Sequence, residues 1–191
     1  MNKKKGEAGY ISSKKKRAIL KTVLEFGIVI ALLVLGIQQT GDRLNMLTLV
    51  AVLGCLPASK ALVEVIMILP HHSMDESKAA DIQAKTAMLT LVYDLVLTSE
   101  HHIMPIDVIA ISNNMICAYS SSKKIDFVFA TKHIKQMLGA NHLKDVSVKI
   151  FDNYTAFLTR AEGMHNIAAV EKADTKAKEE KIKKVLVNIS L

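Results

Sequence analysis

Two long apolar runs near the start of the chain constrain everything that follows them. The first, Phe26-Gly27-Ile28-Val29-Ile30-Ala31-Leu32-Leu33-Val34-Leu35-Gly36-Ile37, has no charged side chain. Extended back to Ala18 it supplies about 20 residues, enough for an α-helix to cross a hydrocarbon core of roughly 30 Å. The polar stretch from Gln38 to Asn45 contains Gly41 and can turn the chain among lipid headgroups. A second apolar run extends from Met46 to Leu69. The pattern predicts a membrane-anchored α/β (α+β) protein: a two-helix transmembrane hairpin, spans at 18–37 and 46–69, ahead of a small soluble mixed α/β domain.

A cleaved signal peptide is the competing reading of a basic segment before an apolar run. This run is longer than a usual signal core, and its exit, Leu35-Gly36-Ile37-Gln38-Gln39-Thr40-Gly41, lacks an Ala-x-Ala site. With a second apolar run close behind, an uncleaved anchor is expected.

The net charge of +7 is concentrated at the N-terminus. Residues 1–17 carry Lys3, Lys4, Lys5, Lys14, Lys15, Lys16 and Arg17 against Glu7, a balance of +6. In residues 18–70 the charges cancel, so the remainder is close to neutral. The high pI therefore points to a basic cytoplasmic tail at a membrane surface, and away from a nucleic-acid-binding domain. Lys14, Lys15, Lys16 and Arg17 flank the first run, whereas the loop carries only Arg43. The positive-inside rule then predicts a multi-pass protein integral to the cell membrane with both termini cytoplasmic. The basic residues would also attract anionic lipid at about 1 kcal/mol each near the surface. Cys55 and Cys117, one in an apolar run and one in a predicted strand, offer no disulfide framework.

Pro57, Ser59, Lys60 and Glu64 interrupt the second run. Lys60 and Glu64 share a helix face at i, i+4 and are the intramembrane polar candidates. Their competing roles are snorkelling at the cytoplasmic interface and contact with a partner helix or with the first helix. Gly27, Gly36 and Gly54 would allow close helix approach, but no GxxxG spacing marks a dimerisation face.

Beyond Pro70-His71-His72, Ser73 and Glu76 have the form of a capping box. Ala80, Ala84, Ala87, Met88, Leu91 and Leu95 then predict an amphipathic helix giving way to a strand near Tyr93. Ile106–Ile111 and Met115–Tyr119 read as strands of a hairpin turning at Ser112-Asn113-Asn114. A helix is expected from Asp126 to Leu138, stopped by Gly139. Val146–Phe151 alternates as a strand, and Asp152 or Asn153 caps a further helix. The expected domain covers 73–170, followed by a charged C-terminal helix at 171–191 that docks by its last turns, where Val185, Leu186, Val187 and Ile189 lie.

That order of elements, with the phrase Ile106-Asp107-Val108-Ile109-Ala110 before a hairpin and a long helix, resembles the core of the restriction-endonuclease-like nuclease fold over residues 73–163. In that family the equivalent of Asp107 binds a divalent metal together with an acidic residue and a lysine, two apart, on the next strand. Those places fall near Ser120 and Ser122 here, with Lys123 and Lys124 beside them and no carboxylate. The resemblance therefore implies a degenerate, non-catalytic version of the fold, with Asp107 its remaining position.

Other chemistry finds little footing. His71-His72 and His101-His102 lack zinc spacing, and no Gly-x-x-x-x-Gly-Lys phosphate loop occurs. Few aromatics and a near-neutral domain argue against single-strand stacking platforms. No cofactor is expected. The sequence points to a hairpin that tethers a non-catalytic binding or assembly domain to the cytoplasmic face, its partners the bilayer, its anionic surface, and another protein or copy of the chain. The alternatives are a membrane-attached enzyme of nuclease-like fold with Asp107 as metal ligand, and a transport or signalling path through Lys60 and Glu64.

Overall fold

The computed structural model describes residues 3–41, 45–99, 102–171 and 175–191. It divides into two compact units, Ile11–His72 and the N-terminal segment up to Tyr10 joined with Ser73–Leu191.

The first unit is a pair of long apolar helices, α1 (Tyr10–Thr40) and α2 (Met46–Ile68). Helix α1 starts well before its apolar run. Lys14, Lys15, Lys16 and Arg17, expected in a tail, lie within it, because lysine and arginine are good helix formers and extending a helix is far easier than nucleating one. Asn45 caps α2, its Oδ1 accepting from Thr48 N at 2.9 Å. Pro57 stays inside α2, and the Ser59 hydroxyl two residues on donates to the Cys55 carbonyl at 2.7 Å. The buried positions are Ile11, Ala18, Thr22, Val29 and Gly36 of α1 and Ala51, Ala58, Ala61 and Ile68 of α2. Most are small and recur at spacings near seven, the pattern of a close left-handed helix pair. Glycine serves this approach: a Cβ at Gly54 would stand 3.2 Å from Val29 Cγ2, and one at Gly36 only 2.7 Å from Asn45 Oδ1. Both helices are long and apolar enough to cross a membrane, and only 17% of the most apolar window of each is buried.

The second unit is a four-stranded sheet between helices. Its strands are β1 (Thr90–Thr98), β2 (Ile103–Ser112), β3 (Met115–Tyr119) and β4 (Ser147–Phe151), in the order β1-β2-β3-β4. The first three form an antiparallel meander, and β4 returns parallel to β3. The crossover is α4 (Phe127–Ala140), whose N-cap Asp126 accepts from Val128 N and Phe129 N. It shares one face of the sheet with α6 (Lys176–Asn188), and Ala130, Ile134, Leu138, Ile182 and Leu186 pack there on Leu95, Ile109 and Ile116. On the other face α3 (Glu76–Lys85) and α5 (Tyr154–Glu171) place Ile82, Phe157 and Met164 against Val108, Ala110 and Cys117. Fully burying a side chain such as Phe157 contributes about 1.5–3 kcal/mol.

Several boundaries differ from the sequence reading. Helix α3 ends at Lys85, where the Thr86 hydroxyl donates to the Ile82 carbonyl, and the strand begins at Thr90. The stripe through Ala80 and Ala84 is exposed, and the neighbouring register of Ala79 and Ile82 faces the core. Asp75, not Ser73, occupies the N-cap of α3 and makes no side-chain cap bond. Helix α4 passes Gly139 to Ala140, and the left-handed turn falls on His142 with φ +61°. The C-terminal helix docks by its last turns, as the sequence leads one to expect, with Leu186 fully buried and Ser190 bridging to Leu97, and it is anchored a turn earlier as well, by the fully buried Ile182. The N-terminal segment docks on the same unit, where Tyr93 N donates to the Gly6 carbonyl at 2.9 Å and Lys5 Nζ to that of Ser190 at 2.6 Å.

Candidate functional site

The carboxylates that could carry chemistry meet where β1 and β2 are kinked. Asp94 has φ +54°, a left-handed value that is costly for a non-glycine residue. The strands break alternation around it. Tyr93 and Val108 face the α3/α5 core, whereas Leu95 and Ile106 face the opposite one. The register runs on without an extra residue on either strand, so the left-handed Asp94 turns the side chains over to the other face with no β-bulge. Asp94 itself is buried, with Oδ1 accepting from Met74 N at 2.9 Å and Oδ2 without a partner among the described residues.

Asp107 lies on the adjoining strand. Its Oδ2 accepts from Ser121 N at 2.6 Å. Burial raises its pKa, the Ser121 hydrogen bonds oppose that, the Asp94 charge adds to it, and Lys78 of α3 works against it. Tyr119, on β3, is raised by burial and by the Asp107 charge. Its ring meets that of Tyr154 edge-on at 5.7 Å, and the Lys78 ammonium sits 5.6 Å from the Tyr154 ring centre. Two carboxylates, a lysine and two phenols thus gather on the α3/α5 face.

The β2–β3 register ends with Val108 opposite Tyr119, so its continuation sets Asp107 opposite Ser120. Ser120 is buried, and its hydroxyl donates to the Pro105 carbonyl at 2.7 Å, a structural use. Ser122 Oγ accepts from Lys124 N. Among the described residues no three His, Cys, Asp or Glu side chains are placed to hold a metal ion. The pair Asp94 and Asp107 can supply negative charge to a cation. Among the described residues no third acidic, histidine or cysteine side chain joins the pair to complete a metal site.

The other sequence candidates lie apart from this cluster. Glu64 approaches Lys14 of α1 at 4.0 Å, and Lys60 is exposed. Within α1, Lys21 and Glu25 do form an i, i+4 pair, at 3.7 Å. Lys15 lies near His71, whose pKa is lowered by burial and then by the Lys15 and His72 charges. Lys16 and Arg17 are exposed on α1. His101 lies outside the described residues, and His102 stacks on Phe129 of α4 with centroids 4.2 Å apart, away from Asp107. Sequence reasoning passed over Asp94, whose only signal was a charge inside an apolar strand.

Comparison of the chain with protein-family models, curated proteins and solved structures gives no match. Function therefore has to be argued from these residues.

Proposed function

We propose that this protein is a membrane-anchored adaptor: the α1/α2 hairpin inserts in the bilayer and holds a non-catalytic α/β domain at the cytoplasmic face, where it binds a protein partner or another copy of itself. The observation that carries this reading is the outward surface of α1 and α2. Large apolar side chains such as Leu20, Leu24, Ile30, Leu53, Leu56 and Ile66 are exposed along both helices. Helices of a soluble core would bury such residues, and a patch of this extent calls for lipid or protein cover. The basic residues Lys14, Lys15, Lys16, Arg17 and Lys21 sit at the end of α1 remote from the loop, which favours that end on the cytoplasmic side. The test is a pair of reporters fused after Leu191, one active only inside the cell and one only outside. Signal from the inside reporter alone is expected, and signal from the outside reporter alone would overturn the orientation.

A second reading keeps the nuclease-like resemblance, with Asp107 as a metal ligand. Asp94 favours it, since its unpartnered oxygen lies in the same cluster. A divalent-metal titration discriminates the two, and it belongs on the full chain because Gly6 is hydrogen-bonded to β1. Binding of Mg²⁺ or Mn²⁺ lost in Asp107→Asn supports the enzyme reading; no binding, with or without nucleic acid, removes it.

A further inference from the structure

A cavity of about 310 Å³ opens between β3, β4 and α5, away from the carboxylate cluster. Its wall includes Met115, Cys117, Ser147, Lys149, Arg160 and Met164, with no carboxylate. The two cations come from different elements, Lys149 from β4 and Arg160 from α5, and neither forms an ion pair among the described residues. The Lys149 ammonium rests 5.0 Å from the Phe151 ring centre. Arg160 Nη2 makes a 3.8 Å contact with the thioether of Met115. Both charges are close enough to bear on the Cys117 thiol at the cavity floor, although burial pushes that thiol up to about 12. Cys117 is therefore an inert floor, and Lys149 and Arg160 are exposed cations on the wall of the same cavity.

We propose that this cavity binds the phosphate of a small phosphomonoester. The guanidinium offers a planar fork for two phosphate oxygens, and the ammonium supplies a second point charge. The Ser147 hydroxyl lines the same space as a further donor. Two cations without a nearby anion match a dianion; a lone carboxylate would leave one of them unanswered. Met115 and Met164 provide an adaptable apolar wall for the carbon body. The volume is at the low end for ligand pockets, which limits the carbon skeleton to a few atoms outside the phosphate. A soluble ester and a lipid with a phosphomonoester headgroup both present this phosphate, and the chemistry of recognition is the same.

The experiment is calorimetric titration of the full chain in zwitterionic detergent with glycerol 3-phosphate, beside uncharged glycerol as control. Saturable binding to the phosphoester alone is expected, weaker by about tenfold in each of Arg160→Gln and Lys149→Gln and weaker again in the double variant. Repeating it in nanodiscs of phosphatidylcholine with and without phosphatidic acid separates the sources. Suppression of glycerol 3-phosphate binding by phosphatidic acid identifies the lipid, and unchanged binding identifies the soluble ester. Absence of saturable binding, equal response to glycerol, or full binding by a double variant with unaltered thermal unfolding would each overturn the proposal. The wild-type comparison of ester with glycerol decides the matter even where a variant does not fold.

Discussion

Glu179 shows how much one buried charge can organise. It is 2% exposed, yet its carboxylate is fully engaged. Thr90 Oγ1 donates to Oε2 at 2.6 Å, Thr175 Oγ1 to Oε1 at 2.9 Å, Asn113 N to Oε1 at 3.1 Å, and Lys176 lies 3.2 Å from Oε2. These contacts tie α6 to the start of β1 and to the β2–β3 turn, where Asn113 has φ +50°. Burial alone would raise the pKa, but the hydrogen bonds from Thr90, Asn113, Thr175 and Lys176 prevail and lower it. A carboxyl whose folded pKa is depressed stabilises the fold above its unfolded pKa and loses that contribution as pH falls through the folded value. Glu179→Gln should therefore destabilise the neutral-pH protein by about 1.5–3 kcal/mol, the range for hydrogen bonds to a charged group. Its stability should also fall less steeply than the wild type's below the ordinary glutamate range. Urea unfolding followed across acidic pH checks both, and parallel pH profiles would show that Glu179 titrates alike in both states. None of this was legible in the sequence, where Glu179 sits in a Lys/Glu-rich run typical of a solvated face. The same holds for Asp94: a strand pattern specifies alternation, and a left-handed residue within the strand is the departure from it.

At the scale of elements, the sequence was clearest where local chemistry and tertiary packing agree. The Asn113-Asn114 turn, Asp126 at the start of α4 and Asn153 before α5 fall at element ends as their side chains favour, with Asn153 Oδ1 accepting from Ala156 N at 3.2 Å. The α3 region misled because alanine carries almost no amphipathic signal, and the core selected Ala79 and Ile82 over Ala80 and Ala84. In the hairpin, of the three glycines that the sequence offers for close approach, Gly36 and Gly54 meet close neighbours and Gly27 meets none. The Cβ distance at Gly54 requires Val29 to give way by a few tenths of an ångström for alanine, and leucine cannot be admitted without separating the helices. Gly54→Leu should cost about 1–3 kcal/mol by overpacking, while a leucine at Gly27, which has nothing within 4 Å of its Cβ direction, should be neutral. Thermal unfolding of both variants in detergent provides the measurement, and equal stability of the two would refute the α1/α2 seam.

At the scale of the whole molecule, apolar run length and charge placement forecast two long apolar helices followed by a mixed α/β domain. They missed that the chain enters the domain before α1 and returns to it after α2, because a short polar segment holding Gly6 and Gly9 has no periodicity to reveal its docking on β1. The proposed orientation rests on the basic residues around the start of α1, and that dependence can be isolated. Replacing Lys14, Lys15, Lys16, Arg17 and Lys21 with Gln removes the charge proposed to retain this end in the cytoplasm, and replacing Gln38 and Gln39 with Lys adds charge at the other end. For an inserted hairpin these changes should move part or all of the C-terminal reporter signal from inside to outside, since the positive-inside bias acts on residues close to span ends. The Gln38 and Gln39 changes alone should have a smaller effect, because the five basic residues near the start of α1 still outnumber the added lysines together with Arg43. A hairpin covered by protein instead of lipid has no orientation to invert, so an unchanged inside signal in the combined variant, with the protein still at the membrane, would refute the positive-inside basis of the model.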